Sequence, residues 1–309
     1  MTEVIVAIPT FCRPASLKRL LDALADLQTR AFISVLVADN DAQGRAGYSL
    51  CKEIASQGYR WPLVAIIAEE RGIAQARNAL VEHVLKYSTA EFVAMLDDDE
   101  WPEPDWLDAF LHVQRTTGAD ALHGAVLREF ESEPDPAAVD CHGIAPMRHE
   151  TGLIPMIEGS SNILLRRACF AELAQPCFDP AFALSGGEDR DFFERLRRQG
   201  RRFAWANEAV IHAWVPESRA GVGWALKRAY RTGNSDMRVF LKHRQTTREY
   251  AREMVKIAGV AAIYPALLLV SSPFVRKRTD ALCKLCRAAG KLAALAGHRY
   301  DEYATIHGG

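Results

Sequence analysis

The segment Phe92-Val-Ala-Met-Leu-Asp-Asp-Asp-Glu-Trp-Pro102 joins a short apolar run to four consecutive acidic residues. The apolar run predicts a buried strand, so Asp97, Asp98 and Asp99 should lie where that strand ends. Carboxylates this close repel one another unless a cation or hydrogen-bond donors offset their charge. The segment therefore predicts a divalent metal, Mg²⁺ or Mn²⁺, bound by one or two carboxylates and by substrate phosphates. The alternative is a solvated acidic turn before a helix that opens at Pro102.

Apolar runs alternate with amphipathic stretches along the first hundred residues. The strand-like runs are 4–8, 33–38, 63–68 and 92–96, and the helical stretches are 17–27 and 73–85. Strands that alternate with helices indicate an α/β fold with a mainly parallel sheet. Ligands of such sheets bind beyond the carboxyl ends of the strands, where this sequence places Thr10, Asp39, Asn40 and Asp97. We therefore expect one polar site at this edge.

The charge of the 309-residue chain is unevenly distributed, although its net charge is only -1 at pH 7. Residues 1–218 include 21 basic and 33 acidic residues, whereas residues 219–309 include 17 and 6. The tail is strongly basic, which indicates an anionic partner or a solvated basic helical face. Because helical, basic sequence begins at Gly221, we expect a catalytic domain over residues 1–220 and a helical extension over residues 221–309.

The start and the middle of the chain lead to two further expectations. Met1 leads directly into an apolar run without a basic leader or a cleavage site, so we expect a cytoplasmic protein. Residues 129–155 are rich in Pro, Glu and Asp without periodicity, and they predict a long, mobile loop.

Seven scattered cysteines do not form a disulfide framework in a chain of this length, so reduced thiols are expected. Cys283-x-x-Cys286 is the one suggestive pair. It lacks a second pair or a histidine, and its spacing is also that of one helical turn. Helix packing is therefore favoured over a metal or redox site.

A second acidic cluster, Gly186-Gly-Glu-Asp-Arg-Asp191, has the pattern of a helix start. The exposed amides of a first turn keep a carboxylate ionised and able to accept a proton, so Glu188 and Asp189 are candidate bases. Capping alone explains one acid but not the two preceding glycines.

A third motif, Arg71-Gly-Ile-Ala-Gln-Ala-Arg-Asn78, predicts a helix that begins at Gly72. Its first turns present Arg77 and Asn78, which have the chemistry to hold carboxylates or donor oxygens. In isolation this motif has low specificity.

Five motifs occur in a fixed order along the chain. They are Ile8-Pro-Thr-Phe-Cys-Arg-Pro14, Val37-Ala-Asp-Asn-Asp41, Gly72-Ile-Ala-Gln-Ala-Arg-Asn78, Leu96-Asp-Asp-Asp-Glu-Trp-Pro102 and Gly187-Glu-Asp-Arg-Asp191. This set resembles the family 2 inverting glycosyltransferases, and within that family the rhizobial succinoglycan-type exopolysaccharide glucosyltransferases. The resemblance continues through residues 224–231 into the basic tail. It implies a GT-A fold.

The resemblance also implies a nucleotide-sugar pocket with a metal site. The residues implied in donor binding are Pro9, Thr10, Arg13, Asp39, Arg77, Asn78, Asp97, Asp98, Arg228 and Arg231. Among them, Asp39 would read the base, usually uracil, and Asp97 would face the nucleoside. Asp99 would bind the metal, which His212 would complete, or else His212 would contact the diphosphate. A core histidine is the alternative for His212.

The implied reaction is an inverting transfer of a hexose from a UDP-sugar to an acceptor hydroxyl. Asp189 would be the catalytic base with Glu188 beside it, and Mg²⁺ or Mn²⁺ would stabilise the leaving diphosphate. The expected acceptor is a polyprenyl-diphosphate-linked glycan in exopolysaccharide or cell-surface polysaccharide biosynthesis, and no nucleic acid is expected as a partner.

Two other classes of protein also bind sugar nucleotides. A nucleotidylyltransferase needs a glycine-rich phosphate loop after the first strand, and a dehydrogenase needs G-x-G-x-x-G there; residues 8–14 contain no glycine. A non-catalytic sugar-nucleotide-binding subunit of a membrane complex is the alternative from another class, and donor turnover would distinguish it.

Residues 257–275 form a stretch of nineteen residues without a charge, close to the roughly twenty that span a bilayer. Pro265 and Pro273 are expected to interrupt a helix there, and basic residues flank both ends. These features favour a segment that lies on the inner face of the cytoplasmic membrane and binds anionic lipid. A kinked helix packed on the catalytic domain is the alternative.

Overall fold

A computed structural model describes residues 2–183, 185–270 and 274–300 of the chain. Nine strands in this part form one mixed sheet, in the order β3-β2-β1-β4-β8-β6-β9-β5, with β7 paired to β9. The strands are β1 (Glu3–Thr10), β2 (Phe32–Asp39), β3 (Leu63–Ile67), β4 (Phe92–Met95), β5 (Glu100–Pro102), β6 (Ala121–Phe130), β7 (Gly152–Ile154), β8 (Ile163–Arg166) and β9 (Phe203–Val215). The α/β class predicted from the sequence is confirmed.

Strands β3, β2, β1 and β4 are all parallel, so their carboxyl ends share one edge. Strand β8 then runs antiparallel between β4 and β6. One row of paired residues crosses this part of the sheet, from Met95 through Ile163 and His123 to Trp205. The row places positions on β6 and β9 level with the end of β4.

Helices cover both faces of the sheet, which explains why β1 is apolar at nearly every position rather than at alternate ones. The helices are α1 (Pro14–Ala25), α2 (Ala46–Ser56), α3 (Ile73–Tyr87), α4 (Trp106–Thr117), α5 (Ala168–Ala171), α6 (Glu188–Arg198), α7 (Val222–His243), α8 (Thr247–Val270) and α9 (Val275–Leu295). Helices α1 and α4 bury leucines and aromatic rings in one core, and α3 and α6 do so in the other. Pro14 begins α1, where a missing amide hydrogen costs nothing.

The tail is helical, as the sequence predicts, and it packs through glycines. Gly233 of α7 lies against the backbone of Arg287 in α9, and Gly290 of α9 lies against the backbone of Tyr230 in α7. A side chain at either glycine would overlap backbone atoms of the other helix. These two contacts therefore determine how closely α7 and α9 approach.

Three local expectations were wrong. Pro102 ends β5 rather than opening a helix, and α4 begins at Trp106. The loop expected over residues 129–155 contains the end of β6 and all of β7. Helix α8 continues through Pro265, which was expected to interrupt it. Pro273 lies outside the described residues.

Within the described residues, no helix is long and apolar enough to cross a membrane. The C-terminal half of α8 nevertheless exposes large apolar side chains, with Ile263 exposed by 56%, Leu267 by 43% and Leu269 by 81%.

The two kinds of helical glycine in the tail lead to opposite expectations. Gly290→Ala should destabilise the protein by about 1–3 kcal/mol because the new methyl group meets the α7 backbone. Gly259→Ala in α8 should be neutral or stabilising by up to about 1 kcal/mol, since nothing lies within 4 Å of the new Cβ and alanine favours a helix. Urea midpoints of the two variants measure this; equal effects would contradict the close packing of α7 on α9.

Candidate active site

A cavity of about 1050 Å³ opens at the carboxyl ends of β1 and β4. It brings together most of the residues that the sequence singled out, although they are up to 222 positions apart along the chain. Those in its lining are Pro9, Thr10, Arg13, Arg77, Asp97, Asp98, Asp99, Glu188, Asp189, Arg228 and Arg231. Helix α7 thus forms part of the wall, although its residues belong to the predicted extension.

The acid cluster after β4 is held by donors from the loop after β1. The Thr10 hydroxyl donates to Asp98 Oδ2 at 2.7 Å, and Arg13 Nη1 lies 3.3 Å from Asp98 Oδ1 and 3.0 Å from Asp99 Oδ2. Burial, together with the Asp99 charge, raises the pKa of Asp98 to about 7. Burial and the Asp97 charge likewise raise the pKa of Asp99. Burial and mutual repulsion therefore both oppose the ionisation of these carboxylates.

Arg77 of α3 connects the two acid clusters. Its guanidinium is almost fully buried, with Nη2 donating to Asp97 Oδ1 at 3.1 Å and Nη1 to Glu188 Oε1. A buried cation is tolerated when carboxylates pair with it in this way, and removing one partner leaves a costly uncompensated charge. Arg77 thus fixes the end of β4 relative to the start of α6.

Glu188 and Asp189 begin α6 at the bottom of the cavity. Burial, together with the charge of Asp189, raises the pKa of Glu188 to about 7. Burial also raises the pKa of Asp189, against the lowering effect of Arg77. Asp189 Oδ1 accepts a hydrogen bond from the Arg190 amide at 2.7 Å. A carboxylate with a raised pKa is a stronger base, so this pair suits proton abstraction.

The two glycines before this pair have a backbone reason. Gly186 and Gly187 have φ values of 72° and 101°, in the left-handed region that other residues avoid. A Cβ on Gly187 would also come within 2.9 Å of Ser235 Cβ in α7. The glycines therefore permit both the sharp entry into α6 and the close approach of α7.

The structure does not bring His212 to the cavity. Its Nδ1 lies 2.7 Å from Glu129 Oε1, its Nε2 lies 2.7 Å from Glu103 Oε1, and its ring stacks on Trp101. Both ring nitrogens are thus occupied away from Asp99. The structure gives His212 the role of a bridge between two glutamates instead of the predicted place in the metal site, because β9 turns this side chain toward β5 and β6.

Asp39 and Asn78 also lie outside the lining. Asp39 is fully buried, and its oxygens accept hydrogen bonds from the amides of Asp41 at 3.0 Å and Tyr48 at 2.9 Å. Asn78 exchanges hydrogen bonds with the backbone of Phe178 in both directions, at 2.7 and 2.8 Å. In this structure both side chains shape the loops around the cavity, and neither reaches into it.

Two arginines near the acid cluster were not predicted from the sequence, because neither lies in a motif that indicates a binding site. Arg128 projects from β6 into the cavity, and the charges of Glu100 and Asp99 act on it while burial lowers its pKa. Arg219 lines the cavity just before α7, and its charge acts on Asp99. Both add positive charge where an anionic ligand would meet the cluster.

The donor chemistry at Asp97 and Asp99 fits a divalent cation of the Mg²⁺ or Mn²⁺ type. Such ions use one or two carboxylates and complete their coordination with water and phosphate. Among the described residues, no group of three or more His, Cys, Asp or Glu side chains is arranged to hold a metal by itself. A cation would reverse the raised pKa of Asp99 by supplying the opposite charge.

The comparisons with known proteins agree on one family. Residues 5–172 match the family described as Glycosyl transferase family 2. The succinoglycan biosynthesis protein ExoM of Rhizobium meliloti (strain 1021) is 30% identical over 314 residues, which cover 96% of this chain and 94% of that protein.

Solved structures match the fold. The mannosyltransferase PcManGT from Pyrobaculum calidifontis, in complex with GDP-Man and Mn²⁺, superposes with a TM-score of 0.64 at 16% identity, over 94% of this chain and 86% of that one. TarS 1–349 of S. aureus in complex with UDP-GlcNAc superposes with a TM-score of 0.51 at 13% identity, over 97% and 93%. The fold is therefore the GT-A fold that the motifs implied.

The raised pKa of Glu188 predicts a pH dependence of stability. Burial raises its folded-state pKa from the ordinary glutamate value of 4.5 to about 7, so the folded protein retains this proton longer than the unfolded chain. The contribution is complete below pH 4.5 and is lost as the pH rises through about 7. Glu188→Gln removes the ion pair with Arg77 and so lowers stability, but it also removes this titration. Its free energy of unfolding should therefore fall less between pH 4.5 and pH 8 than that of the wild type, as urea titrations would measure.

The exposed Glu82→Gln in α3 serves as the control, and its stability should follow that of the wild type at every pH. If the free energy of unfolding of Glu188→Gln changes with pH as much as that of the wild type, Glu188 ionises normally.

Proposed function

The chain belongs to glycosyl transferase family 2, and from this premise we propose that it transfers a hexose from a UDP-sugar to a hydroxyl of a lipid-linked glycan, with inversion at the anomeric carbon. One observation carries the proposal. A cluster with the chemistry to bind a metal diphosphate and a buried pair of candidate bases line the same cavity, joined by Arg77. Nucleotide-sugar transfer needs both in one space.

In this mechanism Asp189 accepts the proton of the acceptor hydroxyl as its oxygen attacks the anomeric carbon. The hydroxyl approaches from the side opposite the leaving diphosphate, so the configuration inverts without a covalent enzyme intermediate. Burial keeps Asp189 basic, and Arg77 holds the neighbouring Glu188 in place.

The acid cluster and the arginines around it would bind the diphosphate of the donor. Asp99, with Asp97, would hold a divalent cation that stabilises the charge of the leaving diphosphate as a Lewis acid. Arg13 orients Asp98 and Asp99, and Arg228 and Arg231 bring positive charge from α7 to the same cavity. Pro9 and Thr10 line the same cavity and would form the wall next to the nucleotide.

The relatives support the donor and the pathway. PcManGT forms a complex with GDP-Man and Mn²⁺, TarS forms one with UDP-GlcNAc, and ExoM is a succinoglycan biosynthesis protein. We place this chain in exopolysaccharide or cell-surface polysaccharide synthesis, with a polyprenyl-diphosphate-linked acceptor. A screen of UDP-sugars with Mn²⁺ or Mg²⁺ tests the function directly; donor binding without any turnover would favour the non-catalytic subunit.

Asp189→Asn should bind UDP-sugar normally but lose transfer by about 10²- to 10⁴-fold, because an amide cannot accept the acceptor proton. The measurements are sugar transfer by product NMR and donor affinity by calorimetry. The exposed Asp280→Asn in α9 is the matched control and should retain full activity. Transfer by Asp189→Asn within tenfold of the wild type would place the base elsewhere.

Asp99→Ala should abolish metal-dependent activity and leave the fold intact, because removing one member of a crowded acid cluster relieves repulsion. Chelation of divalent cations from the wild-type protein should have the same effect on activity, and added Mn²⁺ should restore the wild type alone. Thermal midpoints and turnover are measured on the same samples. Turnover that survives chelation would show that no metal is used.

We also propose that the tail holds the protein on the inner face of the cytoplasmic membrane. Ile263, Leu267 and Leu269 expose an apolar surface on α8, and the exposed basic run 276–278 begins α9 beside it. Apolar insertion combined with about 1 kcal/mol for each basic residue near anionic lipid would give stable attachment.

Flotation with phosphatidylglycerol vesicles measures this attachment. The wild type should float at low salt and less at high salt, and Leu269→Glu should float poorly. The control is Leu153→Glu on β7, which is exposed by 58% but lies outside the tail and should float like the wild type. If the wild type stays in the soluble fraction at low salt, the tail does not bind membranes.

A further inference from the structure

The cavity extends beyond the acid clusters to a set of stacked rings on β6 and β9. His123 and Trp205 lie in the row that starts at Met95, two and three strands away from β4. At a strand spacing of about 4.8 Å, they lie roughly 10 and 14 Å across the sheet from the strand that carries the acid cluster. Both rings line the same cavity as Asp189.

The rings pack into one wall. His123 and Trp205 stack with their centroids 4.8 Å apart and their planes 8° from parallel, and His149 meets Trp205 edge-on at 4.5 Å. His123 Nδ1 lies 2.7 Å from the carbonyl oxygen of Gly124, so this nitrogen carries the proton that it donates. Burial lowers the pKa of His123 to about 4, so the ring is neutral and its Nε2 is a hydrogen-bond acceptor.

Two buried polar groups at this wall need a partner. Within the described part of the chain, Trp205 Nε1 and Ser160 Oγ have no hydrogen-bond partner, although their residues are only 3% and 2% exposed. Ser160 follows Gly159, whose Cβ position would lie 3.8 Å from His123 Nε2, so this segment lies against the rings. Unsatisfied buried donors are unfavourable, which indicates that a ligand or water meets them.

The chemistry of this wall indicates a neutral, hydroxyl-bearing ligand. It offers a donor at Trp205, an acceptor at His123 and a hydroxyl at Ser160, and hydroxyl groups can satisfy all three. Its carboxylate neighbour Glu158 is paired with Arg190 at 2.9 Å. The charge of Arg128, which also acts on His123, is opposed by those of Glu100 and Asp99. Met147, Met156 and Ile157 line the cavity as well and provide apolar surface for the C–H face of a sugar ring.

We propose that His123, Ser160 and Trp205 form a subsite for a neutral sugar of the acceptor, which rests on the glycosyltransferase function proposed above. The cavity volume of about 1050 Å³ slightly exceeds the range of roughly 300–1,000 Å³ for one ligand, so it has room for an acceptor beside the donor. The separation across the sheet leaves space for the donor sugar between the acid cluster and the rings. The acceptor sugar would then present its hydroxyl on the side where Asp189 lies.

The test uses methyl β-D-glucopyranoside as a neutral probe and methyl β-D-glucuronide as its anionic counterpart. Binding to the full-length protein is measured by saturation-transfer NMR in the presence of UDP and Mg²⁺, and UDP-sugar affinity is measured separately. Trp205→Phe retains a stacked ring but lacks the N–H, and Ser160→Ala lacks the hydroxyl. Each should weaken binding of the neutral probe by about 5- to 10-fold and leave UDP-sugar affinity unchanged.

Trp101→Phe is the matched control, because this tryptophan stacks on His212 outside the cavity. Its affinity for the neutral probe should equal that of the wild type, and thermal midpoints confirm that each variant is folded. Tighter binding of the glucuronide than of the glucoside would overturn the neutral class. A loss of UDP-sugar affinity in Trp205→Phe would assign the subsite to the donor and overturn the proposal.

The two proposals fail in different ways. If the protein turns over no UDP-sugar but still binds the neutral probe through Trp205 and Ser160, the subsite stands and the transferase function fails. If transfer proceeds and neither variant changes probe binding, the subsite is wrong and the transferase function stands.

Discussion

The buried ion pairs of Arg77 are the interaction on which the rest of the site depends. A guanidinium that is 5% exposed is stable only while Asp97 and Glu188 remain in place, and those two carboxylates come from opposite ends of the catalytic fold. The end of β4 and the start of α6 are therefore held in one fixed relation. This relation sets the distance between the acid cluster and the candidate base Asp189, and it shapes the cavity between them.

The sequence allowed the prediction of the parts of the site that depend on local backbone. Strands that end in polar residues converge at one edge of a parallel sheet, so Thr10 and Asp98 could be expected to meet, and they do. The start of α6 could be predicted from its glycines and acids. These features need only strand direction and first-turn chemistry, which nearby residues determine.

The positions that the sequence could not specify depend on neighbours far along the chain. His212 was expected beside Asp99, but Glu103 and Glu129 take both of its ring nitrogens, and no local pattern links these three residues. Similarly, the row from Met95 to Trp205 requires β8 to pair antiparallel with both β4 and β6, a register that the apolar runs do not specify. Part of the positive charge of the tail is paired within the protein, since Lys242 forms ion pairs with Asp179 and Asp191 of the catalytic part.

The contact between Gly187 and Ser235 has a consequence for how such a protein can evolve. Chains that end in different extensions are often thought to arise by exchange of whole modules. Here the base-bearing helix α6 begins against α7, and His243 at the far end of α7 bonds Asp191 at 2.7 Å. A foreign extension would remove one wall of the cavity and the support of α6 together. Recombination at residue 220 should therefore be tolerated only between close relatives, and the two halves should change in concert.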